Sequence, residues 1–383
     1  MIKIPLSFIW EMDDVGWDNG DDLSIYGKAS RSGIPRYHTV EDYEFINSLS
    51  KATGKRVAAA LCLGDWDKEN YLRGEVGITH DPYGWDRKSE MDIEKFTIYR
   101  DLLDAGHIDF VLHGILHGRY AEDGKHITEL EFYQYETQPD GTKKEIFDED
   151  DFRRRIDLFF KIYDSWGFKQ KIRAFIHPCH TPFDEDIQRR MAKILHEYGI
   201  VYWADNFRFP EEVRVTEGVA MFKWSHNAGG IPWDAYDADP SLLGNVWRED
   251  SDENSCLHGS HWTNHLRFNP KKNVENVKPW ADFLNGQGEV FGTVLADTLA
   301  DGVNQLFYHQ FAKMTVEGDI VTIDLTEVER NKLDCHKNEF LISMTNDVSP
   351  KSCIGGDIAL YEEHNEFNTY KISHIGNRVE IHI

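Results

Sequence analysis

Short apolar runs that stop at polar, chemically active residues recur along most of this chain, with an amphipathic stretch between successive runs. Residues 6–10 (LSFIW), 56–63 (RVAAALCL), 107–112, 171–176, 200–203, 255–257 and 290–295 read as strands. Residues 40–53, 92–105, 151–166, 184–198 and 273–284 read as helices, with a further helical turn near Leu299. Gly54 and Gly106 stand where a left-handed C-cap is expected. A strand that is apolar throughout is buried on both faces, as in parallel sheets flanked by helices. Repeated βα units therefore predict a parallel sheet, doubly wound or closed into a barrel. From Met314 the pattern changes to alternating short strands at 320–325, 339–344, 357–361, 369–373 and 378–382. This reads as a separate antiparallel β domain. The expected division is a barrel over residues 1–310 and a small all-β domain over 311–383.

Composition narrows the function classes. The 383 residues carry 42 Lys and Arg against 67 Asp and Glu, a formal charge of −25. A chain this acidic lacks the basic footprint of a general nucleic-acid binder. No run approaches the roughly 20 apolar residues of a membrane span. The five cysteines are scattered without a CxxC pair, which is not a disulfide framework. The N-terminus runs straight into an apolar strand and then acids, unlike a signal peptide, so a cytoplasmic location is expected. The sequence leaves room for a homo-oligomer.

In parallel α/β folds, chemistry gathers where strands end at their C-terminal edge. Four such ends carry unusual residues. Asp13-Asp14 follows the first apolar run; adjacent carboxylates repel, so a buried pair needs a cation or a shared proton. The same pair on the surface would be only a solvated turn. His113-Gly-Ile-Leu-His117 follows the third run, and two histidines at i and i+4 face the same way if the segment is helical. One carboxylate and two imidazoles leave open positions on a divalent ion, a catalytic arrangement; satisfied structural histidines are the alternative. Arg173-Ala-Phe-Ile-His177-Pro178-Cys179-His180 is either a strand ended by proline or the wall of a pocket, with Cys179 an inert thiol. Leu257-His258-Gly-Ser-His261-Trp262-Thr-Asn-His265 offers imidazoles for a general acid, and the choice between His258 and His261 stays open.

The order of these motifs resembles the polysaccharide deacetylase family (the NodB-homology domain, carbohydrate esterase family 4) over about residues 4–299. Asp13 and Asp14 match its Asp-Asp pair. His113 and His117 match the spacing of its His-Ser/Thr-x-x-His motif, although Gly114 replaces the hydroxyl residue, and Gly106-His107-Ile108 resembles the lead-in. Of the Arg-x-Pro-Tyr-Gly motif, Pro178 fits; Ile176 or His177 stands at the arginine position and Arg173 is displaced. Trp203 and Asp205 match the Asp/Trp motif that follows, and Leu257-His258 resembles the closing Leu-x-His. The segment from Gly288 to Leu295 resembles the family's final strand.

The resemblance implies an irregular (β/α) barrel of the deacetylase type. Asp14, His113 and His117 would bind a divalent metal, with zinc expected. Asp13 would be the general base and His258 or His261 the acid. His177, Pro178, His180, Trp203, Asp205 and Trp262 would line the substrate side. The implied activity is metal-dependent deacylation of an acylated sugar or glycan precursor, in cell-surface polysaccharide biosynthesis. The loop aromatics Trp17, Tyr26, Trp66, Tyr83, Trp85, Trp224 and Trp233 would suit a carbohydrate face, or else cover a core edge. Two other readings stand beside it: a metal-free glycoside hydrolase with paired carboxylates, and a non-catalytic carbohydrate-binding protein on a degenerate barrel.

Overall fold

The structure is a computed structural model that describes residues 1–17, 34, 36–226 and 255–383. Tyr26 and Trp233 lie outside the described residues. Seven strands, named here in chain order, form the centre: β1 (Leu6–Val15), β2 (Val57–Cys62), β3 (Ile108–Gly114), β4 (Ala174–Ile176), β5 (Tyr202–Asp205), β6 (Val219–His226) and β7 (Leu257–His261). Each pairs in parallel with the next, and β7 returns to β1, so the sheet closes into a barrel. The expected α/β barrel is therefore the observed fold. Helices α1 (Val40–Thr53), α2 (Ile93–Leu103), α3 (Glu149–Ser165), α4 (Glu185–Glu197), α5 (Val274–Gly288) and α6 (Leu299–Phe311) accompany it. None of the described helices is long and apolar enough to cross a membrane.

The period-2 alternation of the strands divides two cores. Ile9, Ala58, Ala60, Val111, Ala174, Ile176, Tyr202, Ala204, Phe222, Trp224 and Leu257 pack in the barrel interior. Phe8, Trp10, Met12, Ala59, Leu61, Phe110, Leu112, Phe175 and Trp203 point outward into a second core shared with the helices.

Residues 313–383 build one four-stranded and one three-stranded antiparallel sheet around Val321, Ile323, Phe340, Ile342, Ile372 and Ile381. The N-terminal strand Ile2–Lys3 joins one of them beside Glu339–Thr345. Several features differ from the expectation. The turn near Leu299 is a full helix. The segment between the expected strands at 200–203 and 255–257, to which the pattern assigns no element, contains strand Val213–Thr216 and β6. The polar insertion between β3 and α3 carries two short antiparallel pairs.

Candidate active site

Two irregularities in register shape the C-terminal mouth. Along β1 and β2, Met12 is opposite Ala59 but Val15 is opposite Leu61, so Asp13 and Asp14 together face one residue. Along β2 and β3, Leu61 is opposite Leu112 but Cys62 is opposite Gly114, which makes His113 the extra residue. Bulges of this kind re-aim side chains where pairing ends. They are accompanied by left-handed backbone at three non-glycine residues: Asp14 (φ 64°), His117 (φ 49°) and Cys179 (φ 72°). Such conformations cost on the order of 1–3 kcal/mol each and cluster at functional sites.

These distortions gather four expected site residues and one of the two candidate acids. The His113 Nε2 lies 3.5 Å from Asp14 Oδ1 and 3.6 Å from Asp13 Oδ1. His117 Nε2 is 3.8 Å from Asp14 Oδ1, and His261 Nε2 is 3.8 Å from Asp14 Oδ2. All five side chains are buried. The segment from His113 to His117 is not helical, the condition under which their spacing would align them on one face. His113 ends a strand, and the following bend with its left-handed residue turns His117 back, while Trp17 stacks on the His117 ring at 5.7 Å. His113 Nδ1–H donates to the Ile176 carbonyl at 3.0 Å, which fixes the tautomer and aims Nε2 at the carboxylates.

The electrostatics follow from burial and proximity. Burial disfavours the Asp14 anion, but His117, His113 and His261 outweigh it and hold its pKa well below the ordinary carboxylate range. Burial raises Asp13 to about 6, with Asp14 adding and His113 opposing. His113 is raised to about 9, because the attraction of both aspartates overcomes its own burial.

Several residues not expected from the motifs belong to this cluster. Glu11 lies one step below Asp13 on the same strand face; burial first, then Asp13, holds its carboxyl well above the ordinary range. Glycine at 259 is required there, since a Cβ would stand 2.1 Å from Glu11 Oε2 and 3.0 Å from Trp224 Nε1. Glu131, from the insertion, accepts the Ile115 N–H at 2.8 Å and so holds the 113–117 bend. It also accounts for Gly114: a Cβ would stand 2.6 Å from Glu131 Oε2 and 3.1 Å from Pro178 Cγ. Cys62 Sγ is 3.9 Å from Asp14 Oδ1. Glu11 and Cys62 each end an apolar run, a position that could have singled them out.

The remaining expected residues divide by strand face. His258 is opposite Trp10, on the outer face of β7, and stacks on Phe8 at 4.6 Å. His261 is opposite Asp13, at the mouth. The choice between them thus falls, in geometry, to His261. Trp203 is buried outward between Phe175 and Phe207, and Trp262 stacks on His38 at 4.1 Å, so neither reaches the cluster. His177 packs edge-on against Phe132 and Tyr133, and burial holds it neutral. His180 bonds the Tyr133 hydroxyl at 2.8 Å. Asp205 is raised to about 7 by burial, against the backbone N–H groups of Asn206, Thr181 and His177, with Asp13 adding. Arg173 precedes β4 at the opposite end, its guanidinium over Tyr202. Among the loop aromatics, Trp66 and Trp85 are core residues while Tyr83 is exposed.

The buried donors fit a divalent ion. Asp14, Cys62 and His113 have donor atoms within 4.8 Å of one another. His113 Nε2 and Asp14 Oδ2 are buried without a hydrogen-bond partner, as atoms awaiting a cation would be.

No family model matches the chain, and no curated protein matches it. Among solved structures it is similar to a 4-alpha-glucanotransferase from Thermococcus litoralis, at 13% identity over 78% of this chain, with TM-score 0.40. The chain spans 40% of the length of that enzyme. A family 4 carbohydrate esterase from Streptomyces lividans, in complex with acetate, is 11% identical over 76% of this chain and 91% of its own, with TM-score 0.34. A GH57-type branching enzyme from Pyrococcus horikoshii is 10% identical over 79% of this chain and 70% of its own, with TM-score 0.40. Likenesses this remote leave the function to be argued from the site.

Proposed function

We propose that the chain is a metal-dependent deacylase that hydrolyses an amide or ester of an acylated sugar. One observation carries the reading. The buried Asp14 carboxylate is faced by His113 and His117 at one oxygen and by His261 at the other, with Asp13 beside it and the Nε2 edge of His113 turned inward. Asp14, His113 and His117 would hold a divalent ion, zinc by their chemistry. When bound, it would supply Lewis-acid polarisation of the acyl carbonyl.

The chain's own residues do the proton work. Asp13 is ionised at neutral pH yet basic enough, at about 6, to take the proton of an attacking water. His261, across the cluster on β7, is placed to protonate the departing amine or alcohol as the bond to the acyl carbon breaks. Glu11, whose buried carboxyl is held well above the ordinary range, lies one step below Asp13 on the same strand face and would orient it. The displaced Arg173 lies against Tyr202 at the far end of β4. Sugar as the acyl carrier rests on the resemblance of the motif order to the polysaccharide deacetylases.

The test is acetate or formate release from N-acylated amino sugars, with and without chelator, for wild type and Asp13→Asn. The expected result is turnover that needs the ion and is lost in the variant. Turnover that survives both treatments overturns the reading.

A further inference from the structure

Among the described mouth residues, Cys62 carries a chemistry that neither the motif pattern nor the proton transfers above use. It belongs to the inward face of β2, two and four residues beyond the lumen alanines Ala60 and Ala58. Its strand lies between the two bulged strand ends, so the distortions that bring in Asp14 on one side and His113 on the other centre on Cys62. Its sulfur is 3.9 Å from Asp14 Oδ1, the same oxygen that lies 3.5 Å from His113 Nε2 and 3.8 Å from His117 Nε2.

Metal–sulfur bonds of about 2.3 Å and metal–nitrogen or metal–oxygen bonds of about 2.0–2.2 Å put neighbouring donors of a tetrahedral site roughly 3.3–3.7 Å apart. The three distances to Asp14 Oδ1 exceed this by a few tenths of an ångström, and Asp14, Cys62 and His113 offer donors all within 4.8 Å of one another. Cys62 is buried beside Asp14.

We propose that Cys62 is a ligand of the same ion, supplying a thiolate beside the Asp14 carboxylate and the histidine nitrogens. This rests on the deacylase reading only in requiring an ion at that point. On binding, the S–H proton passes to solvent and the sulfur lone pair forms the bond to the metal. A thiolate makes the site select a borderline or soft divalent ion, zinc or cobalt(II), over magnesium, calcium or manganese. Without an ion, the thiol donates a weak hydrogen bond to Asp14.

Cobalt(II) titration of the metal-free, full-length chain tests this by absorption. The expected spectrum has weak visible ligand-field bands and an intense near-ultraviolet thiolate-to-cobalt band, each saturating at one equivalent. The near-ultraviolet band disappears in Cys62→Ser and persists in Cys179→Ser, the other thiol close to the mouth. Zinc competition on Cys62→Ser should show affinity weakened by at least about tenfold. Visible bands without the near-ultraviolet band in wild type overturn the proposal while leaving the ion site standing. A band that persists in Cys62→Ser overturns it in favour of another sulfur. Absence of stoichiometric cobalt overturns both the proposal and the metal-dependent reading. The wild-type spectrum decides these cases even if the serine variant does not fold.

Discussion

At the N-terminal end of the barrel, the side-chain amides of α6 are matched to backbone groups. Gln305 donates to the carbonyls of Pro5 and Leu341 at 2.9 and 3.1 Å and accepts from the Leu341 N–H at 2.8 Å. Asn304 donates to the Glu339 carbonyl, and Gln310 accepts from the N–H groups of Glu212 and Val213. The C-terminal mouth is built differently. His113 Nε2, Asp14 Oδ2, Glu131 Oε2, Asp205 Oδ2 and His177 Nε2 are buried there without hydrogen-bond partners, and three residues hold left-handed backbone. An unmet buried polar atom costs about 1–3 kcal/mol. At one end of the barrel the amides of α6 tie the two layers together, and at the other unmet polar atoms gather around strained backbone, a cost that a bound cation and substrate would relieve.

That contrast is broken most decisively at Asp13. The Asp13→Asn change should reduce acyl release by about 10²–10⁴-fold, the usual worth of a general base. Ion content should be retained, since the substitution leaves Asp14, His113 and His117 in place. Thermal unfolding should occur at the same temperature or higher, because a buried carboxylate next to Asp14 and Glu11 is removed. A clear fall in unfolding temperature would mean that Asp13 serves the fold. Next in size is His261→Ala, expected to cost about 10²-fold on amide substrates, measured beside His258→Phe. The second variant should leave turnover unchanged, because His258 lies on the outer face against Phe8. Equal losses in both would erase the distinction between the two faces of β7.

The architecture was legible because strands of a closed parallel barrel are buried on both faces and read as unbroken apolar runs. Asp13, Asp14 and His113 were legible because each follows such a run. Which side chains enter the mouth was not, since that depends on two bulges that no pattern announces. A single-residue change of register moves every later side chain to the other face, so His258 and His261 could not be separated from their order alone. Glu131 is 18 residues from His113 within a polar insertion, and only the fold places its carboxylate in the space a side chain at 114 would fill. The strand at Val213–Thr216 and β6 were not legible, because the turn between them and the polar residues beyond obscure two short runs. The C-terminal sheets were legible from their alternation, which reports one buried face.

The outer-face histidines sharpen the comparison through pH. Burial lowers His258 to about 4 and His265 to about 3, so both are neutral in the fold. In the unfolded chain they titrate near about 6.5. Below that pH the unfolded state binds more protons, and stability falls as pH drops from about 6.5 towards 4; above it these residues contribute no slope. For His258 the loss amounts to about 3 kcal/mol. Between pH 7 and pH 5 each histidine accounts for about 2 kcal/mol of this, so urea unfolding of wild type should show the fall and His258→Phe should reduce it by about half. An unchanged slope in that variant would mean His258 is protonated in the fold, which its packing against Phe8 does not allow.

The smallest effect concerns the other end of the barrel. Gln305→Leu removes three hydrogen bonds and leaves the Leu341 N–H and two carbonyls without that partner, at a cost of about 1–3 kcal/mol in unfolding free energy. Turnover at a temperature well below unfolding should be unchanged, since α6 reaches β1 at the end opposite Asp13. The argument runs through Pro5, whose carbonyl anchors the start of β1 while the bulge at Asp13 and Asp14 lies at its finish. If Gln305→Leu lowers turnover without lowering stability, the start of β1 sets the register of its end, and the two halves of the barrel are mechanically one.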